Sequence, residues 1–227
     1  MKKGFLYLTA ITMATAATIN SGPAAAYEAG DWLVRGRIIA VVPDESSNTL
    51  TSSIAGPLGT KAGLDSDVVP ELDFTYMLTP HWGLELILAS SEHDVKAKGA
   101  LSGLGNIIDS RTLPPTLTLQ YHFLPDNKIQ PYAGIGINYT HFFSEDASTS
   151  LKTAAGGRAN VDLDPSIGIA FQVGMDVALQ DDWFINFDVK YIDMETDASI
   201  STTALGKLKI DVDIDPWVYG IGIGKKF

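Results

Sequence analysis

Hydrophobic and polar residues alternate strictly over eight separate stretches of the chain. In 166–179, for example, Ile167, Ile169 and Phe171 share one face, while glycine, alanine, glutamine and aspartate residues occupy the other. A period of two residues separates the two faces of a β-strand. We predict strands over 32–42, 71–78, 82–89, 116–123, 131–140, 166–179, 183–192 and 217–227.

The connections between these strands alternate in length. Three of them are short, namely "TPH", "LPDNKIQ" and "QDD". The other four are long and lie at 43–66, 90–112, 143–164 and 193–211. Short turns alternating with long loops are typical of bacterial outer-membrane barrels, and each strand is close to the length that a tilted membrane strand needs. We therefore predict an all-β fold, an eight-stranded antiparallel transmembrane β-barrel with short periplasmic turns and four long extracellular loops.

The composition of the two faces separates a membrane barrel from a soluble one. One face is almost purely aliphatic and aromatic, and tryptophans stand at the segment ends, where a membrane barrel carries its aromatic girdle. The other face carries charges of both signs, and buried charges need partners. We expect a paired network that plugs the lumen, formed by Arg35, Arg37, Glu71, Asp73, Glu85, Asp188 and Lys190.

The two ends of the chain indicate export. Lys2 and Lys3 precede an apolar stretch that ends in "PAAA", which predicts a signal peptide over 1–26 and a barrel domain over 27–227. The chain contains no cysteine, and its net charge of −11 argues against a nucleic-acid partner. The last strand ends at Phe227, and we expect it to be read by the outer-membrane assembly machinery.

Apolar residues occur in the long connections, where exposed loops are normally polar. They are Leu58, Leu101, Leu104, Ile107 and Ile108. One interpretation is an apolar mouth for hydrophobic solutes. The alternative is a small packing cluster within the loops, or a short helix that caps the barrel.

Pro114 and Pro115 stand at the start of the fourth strand. Proline cannot donate a hydrogen bond to a strand ladder. The pair therefore marks either a weak lateral seam in the barrel wall or simply the beginning of a strand.

Three stretches carry a resemblance to a known family: "LPPTLTLQYHF" at 113–123, "QPYAGIGINYTHFF" at 130–143 and "DPWVYGIGIGKKF" at 215–227. The chain resembles the OmpW family over its whole exported length. The resemblance implies an eight-stranded barrel in the bacterial outer membrane that carries small hydrophobic molecules inward through an apolar channel and releases them sideways.

The partners expected from this resemblance are outer-membrane lipid, lipopolysaccharide and small hydrophobic solutes. The main alternative is a structural or stress-related barrel with a plugged lumen and no transport role. The four histidines are scattered along the chain and imply no Ser-His-Asp set. We expect no enzymatic activity, no cofactor and no metal site.

Overall fold

The computed structural model describes residues 26–227, so the expected signal peptide lies outside the described residues except for Ala26. Within this range the chain forms seventeen strands, one short α-helix and one 3-10 turn. No helix of the described part is long and apolar enough to cross a membrane.

The strands and helices have the following bounds: β1 Trp32–Val42, β2 Ser46–Ser47, β3 Thr51–Ser52, β4 Gly56–Pro57, β5 Thr60–Leu64, β6 Asp67–Met77, β7 Trp82–Ala89, β8 Ser91–Gly99, the 3-10 turn Ser102–Leu104, β9 Asn106–Leu113, β10 Thr116–His122, β11 Ile129–Ala147, α1 Thr149–Ala154, β12 Ala159–Leu163, β13 Ser166–Ala178, β14 Trp183–Ile192, β15 Glu195–Thr202, β16 Lys207–Asp213 and β17 Trp217–Lys226.

Eight of these strands close into an antiparallel barrel. Around the ring the order is β1, β6, β7, β10, β11, β13, β14 and β17, and β17 pairs again with β1. The predicted fold class is therefore confirmed. Closure pairs the edges of the sheet, which a strand structure in lipid requires.

Alternation of the side chains produces the lipid-facing belt. Ile137 and Ile167 are 64% and 74% exposed, whereas their strand neighbours Asn138 and Ser166 are buried in the lumen. Trp82 begins a strand directly after a periplasmic turn and remains exposed at the rim. Such exposed apolar side chains belong in lipid, where indole rings favour the interface.

The periplasmic turns are tight because their residues accept the required backbone angles. In the turn between β13 and β14, Asp181 and Asp182 have φ values of 56° and 64°. The Leu179 amide donates to the Trp183 carbonyl at 2.8 Å and closes the turn. Aspartate tolerates this left-handed region better than most residues.

The four long connections fold into two sheets that extend the barrel outward. Strand β11 continues past the barrel to Ala147, and β9, β8 and β5 pair onto this extension in that order. A second sheet has the order β12, β15, β16, β3 and β4. The connections that the sequence predicted as loops therefore contain paired strands.

Like charges face each other in the second outer sheet. Asp197 on β15 is the register partner of Asp211 on β16. The charge of Asp211, more than partial burial, raises the pKa of Asp197 above its usual 3.8. Opposed like charges weaken a cross-strand pair. Because the pKa of Asp197 is raised in the folded sheet, this carboxyl ionises at a lower pH in the unfolded chain. The sheet therefore loses stability as the pH rises above 3.8.

Replacing Asp197 with Asn should therefore strengthen this sheet at neutral pH. We expect the amides of β15 and β16 to exchange more slowly at pH ~7, and the difference from wild type to disappear well below the ordinary aspartate pKa of about 3.9. Hydrogen exchange corrected for intrinsic rates measures this. Asp162→Asn is the matched control, because Asp162 faces Ser199. Equal protection at neutral pH in both variants would contradict the repulsion.

Candidate functional site

A layer of ionised side chains crosses the lumen of the barrel. Its members are Arg35, Arg37, Glu71, Asp73, Glu85, Asp176, Asp188 and Lys190, and each is at most 3% exposed. The layer holds three cations and five carboxylates. We call it the charged layer. The structure brings together all seven residues named from the sequence for the plug, and adds Asp176.

Arg35 connects three strands within this layer. Its Nη2 lies 2.8 Å from the Asp176 carboxylate, and its Nη1 lies 3.0 Å from Asp73 and 3.6 Å from Glu85. The Thr75 hydroxyl accepts a further hydrogen bond from Nη1 at 2.7 Å. A buried guanidinium with this many partners satisfies its donors in several directions at once.

Arg37 contacts four carboxylates. Its Nη2 lies 2.5 Å from Asp73 and 3.1 Å from Glu85. Its Nη1 lies 3.2 Å from Asp188, and its Nε lies 2.9 Å from Glu71. Strand register creates two of the cross-strand contacts, because Arg35 faces Asp73 and Arg37 faces Glu71 on the neighbouring strand.

Lys190 completes the layer from β14, two strands away from β1 in the ring. Its ammonium lies 2.8 Å from Glu71 and 2.9 Å from Asp188. Tyr132 and Gln172 donate hydrogen bonds to the other oxygen of Asp188 at 2.9 Å and 2.8 Å. These neutral hydrogen-bond donors help to stabilise the carboxylates, which outnumber the cations in the charged layer.

Glycines on the last strand make room for the arginine side chains. A Cβ at Gly222 would lie 2.2 Å from the Gly36 carbonyl oxygen and 2.7 Å from Cγ of Arg37. A Cβ at Gly224 would lie 2.4 Å from the Phe184 ring. The "GIGIG" stretch therefore gives the interior space for large side chains, and its isoleucines face lipid.

A small apolar cluster lies on the periplasmic side of the charged layer. Tyr27, Leu33, Met77 and Phe184 form a buried cluster there. The Tyr27 hydroxyl donates to Asp176 at 2.8 Å and joins this cluster to the charged layer.

The outer half of the lumen holds an apolar cavity of about 90 Å³, which we call the outer cavity. Glu71 and Lys190 line its inner end. Its walls come from the upper barrel and from both outer sheets, with apolar side chains such as Ile39, Ile192 and Ile210. A hydrophobic site thus lies directly above a layer of buried charge.

The apolar loop residues occupy two positions relative to this cavity. Ile107 and Ile108 line it. Leu58, Leu101 and Leu104 are half-buried and pack against its apolar wall from outside. The five residues thus belong to one packing cluster, and two of them also line the cavity.

Sequence reasoning did not identify the part of the cavity wall that the second outer sheet supplies. Ala198, Ile200, Ile210 and Val212 line the cavity from β15 and β16. These residues lie in or beside a connection that was expected to be a loop. The available signal was the alternation of apolar residues at 196–200 and 208–212, where every second residue is buried.

Pro114 and Pro115 interrupt the barrel wall beside this cavity. Thr116 pairs with Ile87 below the prolines, and Thr112 pairs with Ser91 above them. The register is the same in both ladders, so residues 113–115 lie opposite 88–90. No ladder pair joins these two stretches among the described residues. We call this interruption the wall gap.

The two prolines remain bonded on their other side. The Tyr139 amide donates to the Pro115 carbonyl at 3.1 Å, and the Asn138 side chain donates to the Pro114 carbonyl at 3.2 Å. The wall is therefore continuous towards β11 and interrupted towards β7. Pro114 and Ala89 line the cavity, whereas Leu88 and Leu113 are exposed on the lipid face.

Removing Arg37 should destabilise the folded barrel strongly. Arg37→Ala removes a positive charge that contacts four buried carboxylates. Breaking a buried ion pair costs about 3–5 kcal/mol. Denaturant unfolding in lipid vesicles would measure the loss. The control is Arg111→Ala, since Arg111 pairs with Glu92 at the exposed surface, where a pair contributes about 0–1 kcal/mol. Equal midpoints for Arg37→Ala and wild type would contradict the pairing.

The comparisons with known proteins agree with this architecture. The sequence model of the OmpW family matches residues 28–227. Outer membrane protein W of Vibrio cholerae is 36% identical over 218 residues, which cover 95% of this chain and 97% of that protein. A Pseudomonas aeruginosa relative, the dibenzothiophene metabolism operon protein PahQ, is 28% identical over 203 residues, covering 88% and 90% of the two chains.

A solved structure extends the agreement to three dimensions. The crystal structure of the outer membrane protein OprG from Pseudomonas aeruginosa superposes with a TM-score of 0.83 at 42% identity, covering 89% of this chain and 98% of that one. Both sequence and fold place this protein in the bacterial outer membrane. The chain belongs to the OmpW family of outer-membrane β-barrel proteins.

Proposed function

We propose that this protein takes up small hydrophobic molecules across the outer membrane. The observation that carries the proposal is the position of the outer cavity. An apolar chamber lies between the upper barrel and the outer sheets, ends at the Glu71–Lys190 ion pair, and lies beside an interruption in the barrel wall.

The charged layer determines the direction in which a hydrophobic solute leaves. A solute gains roughly 0.8 kcal/mol for each CH₂ removed from water. It would lose that gain on crossing a lumen filled with ionised side chains. It would also have to disrupt buried ion pairs, which costs several kcal/mol. Sideways movement into lipid preserves the gain and leaves the charged layer intact.

The wall gap provides an apolar route to lipid. Ala89 and Pro114 face the cavity, and Leu88 and Leu113 face lipid on the same two stretches. Proline removes the amide donors that would join these stretches. A groove of about 630 Å³ adjoins the gap on the outer surface near Val69 and Ser90, but acidic side chains such as Asp67 and Glu92 line it. A hydrophobic solute therefore favours the wall gap.

The relatives support the same assignment. PahQ carries the name of an operon for the metabolism of dibenzothiophene, an apolar aromatic compound. A second candidate is a structural barrel with a plugged lumen, which the extent of the charged layer favours. A structural barrel has no need of an apolar chamber of this size, and cavities reduce stability.

Filling the outer cavity should abolish uptake while the barrel still assembles. Ala198 is buried and lines the chamber, so Ala198→Phe places a ring inside it. The extra volume should cost about 1–3 kcal/mol of stability. Uptake of a medium-chain alkane by whole cells, at matched surface expression, should fall several-fold.

Ala55→Phe is the control for this experiment, because Ala55 lies exposed in an outer connection. Wild-type uptake in both variants would overturn the proposed function and favour the structural barrel.

Closing the wall gap should block release. The chain has no cysteine, so an Ala89→Cys/Pro114→Cys pair creates a single disulfide between opposed positions. We expect oxidised cells to take up less alkane than the same cells after reduction. Ser201→Cys/Lys207→Cys, which joins register partners in the second outer sheet, controls for effects of oxidation. If oxidation lowers alkane uptake equally in both double-cysteine variants, the wall gap is not the exit. The same conclusion follows if oxidation leaves uptake unchanged in the Ala89→Cys/Pro114→Cys variant.

A further inference from the structure

One hydroxyl group in the outer cavity has no hydrogen-bond partner. Ser110 lies on β9, is 5% exposed and lines the cavity, and its Oγ makes no hydrogen bond. A buried hydroxyl without a partner costs roughly 1–3 kcal/mol. Such a group inside an apolar chamber is a candidate contact for a ligand.

The other hydroxyl groups that line the described cavity all have partners. Ser91 and Thr112 share a hydrogen bond of 2.8 Å. Thr116 donates to the Pro114 carbonyl at 3.2 Å, and Thr196 donates to the Asp164 carbonyl at 2.7 Å. The remaining one, on Thr60, accepts a hydrogen bond from the Leu101 amide at 3.1 Å. Ser110 therefore differs from every other hydroxyl of this wall.

From this difference we propose that the preferred solute carries one neutral hydrogen-bonding group, an alcohol or a carbonyl, which binds the Ser110 hydroxyl. The inference rests on the proposed function, because it names the class of solute that the outer cavity accepts. Ser110 is a specificity-determining residue in this assignment.

The apolar surroundings of Ser110 favour a neutral group over an ionised one at this position. The cavity wall beside it is formed by Ile107 and Ile108, and the neighbouring Arg111 is exposed on the opposite face of the strand. A carboxylate placed here would lose its hydration, and the side chain of Arg111 points away from it. The register partner of Ser110 on β8 is His93, and histidine is neutral above its ordinary pKa of about 6.5. A neutral group loses less and recovers a hydrogen bond.

The position of Ser110 also sets the orientation of the solute. Pro114 is four residues further along the same face, and a strand advances about 3.3 Å per residue, so roughly 13 Å separate the hydroxyl from the wall gap. An elongated solute whose polar group binds Ser110 extends its apolar tail towards the gap. It therefore enters lipid tail first.

A matched pair of ligands tests the assignment. Octanol and octane would be titrated into the full barrel in lipid nanodiscs, with binding followed by the chemical shifts of β9 amides. Partitioning into lipid is the same for wild type and variant, so it cancels in the ratio of their affinities. In Ser110→Ala we expect octanol binding to weaken about three- to tenfold, the effect of one net hydrogen bond, and octane binding to stay unchanged.

Two further variants make the result specific. Ser110→Thr keeps a hydroxyl and should keep the preference for octanol. Ser102→Ala, which removes an exposed hydroxyl from the adjoining 3-10 turn, should change neither affinity.

The possible outcomes are distinguishable. If Ser110→Ala binds both ligands as wild type does, the hydroxyl is satisfied in another way and the inference is wrong, while the proposed function stands. An equal loss for octane and octanol would also overturn it, because the substitution would then act through packing. If wild type binds neither ligand, the proposed function itself fails.

Discussion

The pairing of buried charges in the charged layer is the constraint on which the rest of this barrel depends. Arg35 and Arg37 are two residues apart on β1, so both enter the same lumen. Unpaired, each would cost several kcal/mol. Their partners come from β6, β7, β13 and β14, so a single cluster of ions joins five of the eight barrel strands.

The same layer divides the lumen into regions of different chemistry. Glu71 and Lys190 belong both to the ion network and to the inner end of the outer cavity. Above them the walls are apolar. Under the proposed function, the chamber would stabilise an apolar occupant and the layer would oppose its further movement. Transport of hydrophobic molecules follows from this arrangement only if the wall provides another exit.

The interruption at Pro114 and Pro115 has a local physical cause. Both prolines lack an amide donor, yet the ladder resumes beyond them in an unchanged register. The wall thus keeps its shape while it loses hydrogen bonds over three residues. On the opposite edge, the carbonyls of the prolines bind β11, so the weakness is confined to one side.

The sequence by itself determined the barrel. Strict alternation in eight segments predicted every barrel strand, and β1, β7 and β14 begin and end at the predicted residues. A lipid-facing strand needs an unbroken apolar row, so its pattern is local and can be read along the chain. The charged residues on the opposite face could be read along the chain in the same way, and they indicated that the charges in the lumen are paired.

Only the tertiary structure decided which charged residues form ion pairs and where the cavity lies. Arg37 meets Asp188 across the lumen, a contact that depends on strand order, shear and register rather than on spacing along the chain. The cavity wall unites Ile108 with Ile210, about a hundred residues apart in the sequence. The strands that carry them are short and half polar, so their alternation is weak. They form because the barrel brings four long connections together at one end, where each buries its apolar face against the others.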